Sequence, residues 1–440
     1  MSEIDRRAPE PVDVLIHRAG SAVARAAVDM LGGTYGRRVV VVAGKGNNGA
    51  DGRWAAGWLR RRGVRVTVVE AAEAPDRLPP SDLVIDAAYG TGFRGEYDAP
   101  DPGAPVLAVD IPSGVDGLTG EAAPGAVRAA HTVTFAALKP GLLLHPGADR
   151  AGPVAVADIG LDVSDATMGL VEWTDVSHWL PDPGSETHKW KSALWVAAGS
   201  PGLTGAAHLC ARAALRSGAG VVRLGVPGSG PDPGSPEVVG RPMPDTDWDA
   251  YVLEDSDRTK ALVVGPGIGR TDDTIAAVRR LIAATPLPLV VDADGLFALG
   301  DRKEAAHALA GRDAPTVLTP HEGEYARLAG EKVSGDRVAA VRSLAADLGV
   351  TVLLKGSKTV VARADGRVLI TTAGDARLAT AGSGDVLAGI IGAFLARGLD
   401  ALEAAAAGAH VHGMAGHLGW RRGLVAGDLI DLLPAVLSAE

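Results

Sequence analysis

Short β-branched runs that alternate with amphipathic helical stretches constrain this chain more than any other feature of its sequence. The run VVVVA within Arg38–Ala43 is apolar at every position, which suits a strand covered on both faces. Similar runs follow at Val64–Val69, Leu83–Ala88, Pro105–Asp110, His131–Ala136 and Val154–Ala157. Between the first two, Trp54, Ala55, Trp58 and Leu59 mark one stripe of a helix over Asp51–Arg62, closed by Gly63. Strand, helix and strand in this order form a βαβ unit, which predicts an α/β fold with a parallel sheet and helices on its faces.

The chain is 440 residues long, enough for two or three domains. From Leu161 to Lys191 the periodicity stops, and the segment ends rich in Pro, Gly, Ser and Asp. A boundary is therefore expected there, with domains at 1–165 and 185–440 and a linker over 166–184. A second α/β series follows. Its strands are expected at Leu194–Ala198, Val221–Val226, Ala261–Val264, Leu289–Asp292, Thr316–Thr319 and Val352–Lys355, with a hairpin over Thr359–Thr372. Helices are expected near Gly205–Ser217, Thr271–Ala284, Asp336–Leu348 and Gly384–Arg397. Gly225–Asp245, rich in Gly and Pro, reads as a mobile surface loop.

Composition excludes several classes of function. Lys plus Arg is 43 against 53 for Asp plus Glu, a net charge of −10, which argues against nucleic acid or an anionic membrane as the main partner. Cys210 is the only cysteine, so no intrachain disulfide or thiolate metal cluster can form, and a small buried side chain is expected. MSEIDRRAPEP carries charge and proline where a signal peptide needs an apolar stretch, and the apolar run at Val386–Ala396 is too short to span a bilayer. A cytoplasmic setting is expected. Aromatic residues make up 4%, which predicts cores filled by Ala, Val and Leu.

The chemistry-bearing residues of the first half follow its strands. Directly after Arg38–Ala43 comes AGKGNNGADG, a glycine-rich loop opening a helix, where backbone N–H groups can meet a phosphate. Asn47 and Asn48 add amide donors and acceptors at one point, more than a plain turn requires. LVIDAAYGTGFRGE puts Asp86 at a strand end before a second glycine loop, and VLAVDIPSGVDG puts Asp110 and Ser113 at another. Each aspartate alone suits a helix cap or turn, but in an open α/β sheet loops at the carboxyl ends of strands converge on a ligand crevice.

GNNGADG, DAAYGTGFRG and VDIPSGVDG, in this order, resemble the signatures of the NAD(P)H-hydrate epimerase family. The resemblance implies a Rossmann-like, three-layer domain that interconverts the epimers of hydrated NADH and NADPH (NADHX and NADPHX). It implies that Asn47, Asn48, Gly49, Ala50 and Asp51, with Gly90, Thr91, Gly92, Phe93, Arg94, Gly95 and Glu96, hold the substrate. Asp110 would bind it and act as acid and base. Asn48, Asp86 and Ser113 would gather a potassium ion through hard oxygens. Ala50 stands where the family usually has glycine, and Lys45 adds a cation to the loop.

In the second half, GSPGLTGAAHLCARAALRSGAGVVRLGVP and ALVVGPGIG repeat the strand-then-glycine pattern. In LATAGSGDVLAGIIGAFLARG the apolar stripe Val386, Leu387, Ile390, Ile391, Phe394 and Leu395 places Gly382, Ser383 and Gly384 at a helix amino end, with Asp385 in its first turn. Free N–H groups there form an anion hole. Asp385 could simply cap the helix, yet a cap does not call for three small residues before it.

This turn resembles the ribokinase-like superfamily. Together with HKWKSALWVAAGSPGLTGAA, VVDADGLFAL, LTPHEGEYARL and LLKGSKTVV it resembles the ADP-dependent NAD(P)H-hydrate dehydratase family. The resemblance implies a ribokinase-like α/β domain in which Asp385 is the catalytic base and touches the substrate, Ala206, Gly267 and Gly269 leave room for the dinucleotide, and His321 contacts it. Lys355, Gly356, Ser357, Lys358 and Thr359, with Gly382, Ser383 and Gly384, would hold ADP as co-substrate, accompanied by Mg2+. Asp292 and Asp294 would act through water on that metal, although DADGLFAL departs from the family's usual DADALN. Glu324 reads as a cap, and His410, His412 and His417 as packing or solvated groups.

The expected activity is repair of NADHX and NADPHX, with these hydrates and ADP as small-molecule partners, no nucleic acid, no membrane and a homo-oligomer. An alternative is a vitamin or sugar kinase fused to a Rossmann-like cofactor-sensing module, and a non-catalytic sensor is a third reading. A kinase would accumulate a stable ester, whereas a dehydratase releases phosphate and NADH.

Overall fold

A computed structural model describes residues 8–180, 182 and 184–439, which form two compact units that divide between Ala166 and Thr167. In the first, β1 (Arg38–Ala43), β2 (Arg65–Glu70), β3 (Leu83–Ala87), β4 (Val106–Val109), β5 (His131–Phe135) and β6 (Val154–Ala157) make one parallel sheet. Their order is β2-β1-β3-β4-β5-β6, so the winding reverses between β1 and β3. Successive valines of β1 point to opposite faces: Val39 and Val41 join one buried cluster, Val40 and Val42 another. This explains a strand without polar alternation.

The helix after β1 starts at Asn47 rather than Asp51, so both asparagines belong to its first turn. A further helix, Val12–Leu31, precedes the sheet, burying Ala19, Val23, Ala27 and Leu31 and ending at left-handed Gly32.

The second unit holds a ten-stranded sheet in the order β10-β9-β8-β11-β12-β13-β14-β15-β16-β7. Its strands are β7 (Met168–Leu170), β8 (Ala193–Ala197), β9 (Val221–Val226), β10 (Val239–Pro242), β11 (Ala261–Val264), β12 (Leu289–Val291), β13 (Thr316–Leu318), β14 (Thr351–Leu354), β15 (Thr359–Ala362) and β16 (Val368–Thr371). Pairing is parallel except around the expected hairpin, where β14, β15 and β16 run antiparallel.

Two expectations are corrected here. The aperiodic segment 166–184 is not a linker throughout, because β7 pairs with β16 and a helix, Trp173–Trp179, follows it. The Gly225–Asp245 segment is not wholly loop, because β10 extends the sheet beside β9. Both are short edge strands whose pairing, not their composition, makes them strands.

The Ser383–Ala396 helix is buried almost all round, against the Gly205–Arg216 and Ala401–Leu418 helices. Alanine and glycine permit this close packing: a Cβ on Gly389 would lie 2.2 Å from the Cys210 carbonyl oxygen. Cys210 is a free, buried thiol. The cores are chiefly aliphatic, with Trp195, Trp248, Tyr325 and Phe394 fully buried. No described helix is long and apolar enough to cross a membrane.

Candidate functional sites

The first site is a cavity of about 770 Å³ along the carboxyl edge of the first sheet, at the reversal of its winding. The β1 loop packs into its neighbours with no room for a side chain at two of its glycines: a Cβ on Gly49 would lie 1.8 Å from the Gly44 oxygen, and one on Gly44 1.9 Å from the Ala88 oxygen. Asn47, Asn48 and Asp51 line the cavity, while Gly49 and Ala50 do not. Of the second glycine loop, Gly90, Thr91, Gly92 and Phe93 line it, whereas Arg94, Gly95 and Glu96 stand outside. Arg94 instead pairs with Asp116 at 3.2 Å. Tyr89 adds an aromatic wall, its ring 5.2 Å from that of Phe93 and 5.1 Å from that of Tyr97.

Asp110 follows β4 with a positive φ of 65°, uncommon for a non-glycine residue. Its Oδ1 lies 2.6 Å from Nζ of Lys139 and accepts from Thr134 Oγ1 at 3.1 Å. Lys139 is buried and also donates to Thr134 Oγ1 and the Phe135 carbonyl, both at 2.8 Å. Burial, then the charge of Asp110, raises the Asp51 carboxyl to about 8, so this acid holds its proton at neutral pH.

Asp86 is buried behind the second glycine loop. Ser113 donates to it from the backbone at 2.8 Å and from the hydroxyl at 2.7 Å. Burial raises its carboxyl to about 6 against the pull of these bonds. Ser113 Oγ accepts from Tyr89 N at 2.9 Å, and a Cβ on the adjacent Gly90 would touch Asn48, so one loop collects Asn48, Asp86 and Ser113.

In the second unit the strand ends of β12, β13 and β14 converge under the start of the Ser383–Ala396 helix. Asp292, 1% exposed, accepts through Oδ1 from Thr319 Oγ1 at 2.7 Å and Lys355 Nζ at 2.8 Å. Lys355 Nζ also lies 3.5 Å from Glu324. Burial disfavours its charge, but Asp292 and Glu324 carry its pKa above the usual value. A Cβ on Gly384 would meet Lys355 Nζ at 3.5 Å and Asp292 Oδ2 at 3.9 Å, so this pair lies directly against the glycine turn. Gly382, at φ 86°, turns the chain into the helix. The Gly384 and Asp385 amides have no backbone acceptor among the described residues. Burial and the charge of Asp292, opposed by Lys355, raise Asp385 to about 7.

Beside this turn lies a cavity of about 590 Å³ lined by Lys355, Gly356, Ser357, Thr359, Ser383 and Gly384. Lys358 turns away to donate to the Thr372 carbonyl. The NAD(P)H-hydrate dehydratase family matches residues 194–434, and the family described as YjeF-related protein N-terminus matches 12–79 and 70–141. The bifunctional NAD(P)H-hydrate repair enzyme Nnr of Mycobacterium tuberculosis strain H37Rv is 43% identical over 90% of this chain and 87% of its own. Nnr of Moorella thermoacetica is 36% identical over 99% and 95% respectively. The chain belongs to the bifunctional NAD(P)H-hydrate repair enzyme family. A ribokinase-like superfamily protein from Enterococcus faecalis V583 superposes with a TM-score of 0.53 at 20% identity, covering 63% of this chain and 97% of its own, which bears on the fold alone.

Within this repair-family chain several expected residues fall differently from their reading. His321 caps a helix through Nδ1 and lines the cavity shared by Lys355, Gly356, Ser357, Thr359 and Gly384, so it stands on the side expected for ADP. Glu324 is the cap expected, donated to by His321 N at 2.8 Å, and it also faces Lys355. Asp294 accepts from Gly269 N at 3.1 Å and pairs with Arg270 at 2.6 Å, and its charge adds to that of Asp292 in raising Asp385. A Cβ on Gly267 would lie 3.2 Å from Ala206 Cβ, placing these two small residues together. His412 is more than packing. It lines the cavity, bonds Ser383 Oγ at 3.0 Å and is held neutral by burial, its pKa lowered to about 4. His410 is buried against Thr371, and His417 meets Arg377 at 3.0 Å.

Sequence reasoning missed Lys139. Its signal was a single cation within FAALKPGLLL, a segment otherwise apolar.

Proposed function

We propose that the first unit epimerises NADHX and NADPHX and that the second dehydrates the S epimer with conversion of ADP to AMP and phosphate. The single observation that carries this reading is the setting of Asp385. A carboxylate raised to about 7 stands in the first turn of a helix whose glycine turn offers free N–H groups, with Lys355 beside it. A base next to an anion hole suits a hydroxyl that must attack phosphorus.

Asp385 takes the proton of the ring hydroxyl as its oxygen attacks the terminal phosphorus of ADP, and the bond to the AMP oxygen breaks. The hydroxyl thereby becomes a phosphate ester. The ring nitrogen then expels phosphate, and loss of the neighbouring ring proton restores the dihydronicotinamide. Lys355 and the turn amides hold the phosphoryl oxygens, so positioning and charge carry most of the rate. Among the described residues no three His, Cys, Asp or Glu side chains group as metal ligands. Mg2+ would therefore arrive on the phosphates, screening their charge, with the free Oδ2 of Asp292 facing its water shell. Asp294, paired with Arg270, adds its negative charge to those that raise Asp385.

In the first unit, Asp110 removes the hydroxyl proton of the hydrate; the carbon–nitrogen bond of this hemiaminal breaks as a carbonyl forms, its electron pair going to the ring nitrogen, which takes the proton from Asp110, and reclosure on the other face, with that proton returned to the oxygen, inverts the centre. Lys139 balances the Asp110 charge. The potassium reading fits the residues present: Asn48, Asp86 and Ser113 offer hard oxygens around one loop, and the amide atom of Asn48 placed as Nδ2 is buried without a partner. With that amide turned over, Asn48, Asp86 and Ser113 would hold the ion through oxygen, and it would supply positive charge to the site.

The test is incubation of the full chain with mixed epimers and ADP while NADH absorbance is followed. The reading expects NADH and phosphate in equal amounts; a stable phosphate ester instead of NADH would favour the kinase.

A further inference from the structure

The cavity of the first unit has two unlike ends. At one, β4 and β5 deliver Asp110 and Lys139; at the other, β2 finishes at Glu70 and the Ala71–Glu73 turn continues the wall. Between them lie the β1 loop and the amino end of the Asn47–Arg60 helix. The order β2-β1-β3-β4 puts three inter-strand steps between Glu70 and Asp110, roughly 14 Å at about 4.8 Å each, a span that suits the stretch from the ring to the far ribose of an extended dinucleotide.

We propose that the dinucleotide lies along this edge with its hydrated ring at Asp110 and its adenosine ribose at Glu70 and Glu73, and that these carboxylates make NADHX a better substrate than NADPHX. This rests on the epimerase reading of the unit. The acid–base pair fixes where the ring goes, and the pyrophosphate finds backbone donors at the β1 loop and helix start. The adenosine half must then continue to β2. A carboxylate at the end of the second strand accepts from a ribose 2′-hydroxyl and repels a 2′-phosphate.

The charged groups at this end are Lys45, Arg53, Glu70 and Glu73. Arg53 is committed, donating to the Gly44 carbonyl at 2.8 Å and to Glu70 Oε2 at 2.5 Å. Glu70 Oε1 is left to accept a hydroxyl. Glu73, exposed, forms no ion pair among the described residues, and Lys45 is the one cation lining the cavity on this side. A 2′-phosphate would meet two carboxylates with Arg53 already held.

The test uses the full chain without ADP, which leaves the second unit idle. The R epimers of NADHX and NADPHX are mixed in equal amounts, and chromatography follows the initial rate of S-epimer formation from each. The wild type should favour NADHX roughly tenfold, a ratio consistent with exposed charges screened by salt. Glu70→Gln combined with Glu73→Gln should bring the ratio to about one or below, because Arg53 then becomes free for the phosphate. Glu73→Gln alone, at an exposed unpaired position, should give a smaller change of the same sign, which excludes a folding defect as its cause. Equal wild-type rates, or a preference that survives both substitutions, would overturn the proposal. If neither hydrate is epimerised, the epimerase reading itself fails and the proposal with it.

Discussion

Asp385→Asn separates what this carboxylate does for the reaction from what it does to the fold. Asn has nearly the same volume and keeps the first turn of the Ser383–Ala396 helix, but it cannot accept a proton. Loss of a general base should lower ADP-dependent NADH formation by roughly 100–10,000-fold. In the wild type the same activity should rise with pH through about 7, as Asp385 loses its proton.

The stability effect has the opposite direction. Because the folded-state pKa is raised from 3.8 to about 7, the folded chain binds that proton more tightly than the unfolded chain. The stabilisation is fully present below about pH 4 and is lost as pH rises through about 7. At 1.36 kcal/mol per pH unit, the ionised form costs about 4 kcal/mol at pH 8. Asn avoids that cost but loses roughly 0.3–1 kcal/mol of attraction to the helix amino end, and partial exposure trims the remainder. The variant should therefore be more stable than wild type by about 2–3 kcal/mol at pH 8 and indistinguishable near pH 4. Hydrogen exchange of the Ser383–Ala396 amides reads this for the second unit. A variant no more stable than wild type at pH 8, or one that retains full turnover, would refute the assignment of Asp385 as a buried base.

Asp110→Ala and Lys139→Met should each slow the consumption of the R epimer toward its spontaneous rate while the S epimer is dehydrated at the wild-type rate, giving a biphasic progress curve with excess ADP; slowing of the fast phase instead would point to a shared active site. Gly384→Val should weaken ADP binding measured by calorimetry while Gly384→Ala keeps most of it, because a Cβ there reaches only ordinary contact with Lys355 and Asp292 and the branches go further. Gly49→Ala should destabilise the first unit by more than about 3 kcal/mol, since its Cβ would fall 1.8 Å from the Gly44 oxygen, and limited proteolysis should cut that unit while the second stays intact.

Local pattern alone determined much of this chain. The continuous apolar run of β1, the helical stripe that begins at Val386 and the glycines before Asp385 are short-range signals, and they placed Asp110 and Asp385 at a strand end and a helix start. The tertiary structure decided which of these groups meet. Lys139 reaches Asp110 because β4 and β5 are neighbours, and Lys355 reaches Asp292 across 63 residues because the ends of β12 and β14 both flank β13. Met168–Leu170 and Val239–Pro242 have no strand pattern of their own and become strands only through hydrogen bonds to β16 and β9. The Ala401–Leu418 helix likewise has too many alanines and glycines to show a polar face, because almost every side of it is buried. An ion pair or a sheet edge depends on partners distant in sequence, and no local window contains them.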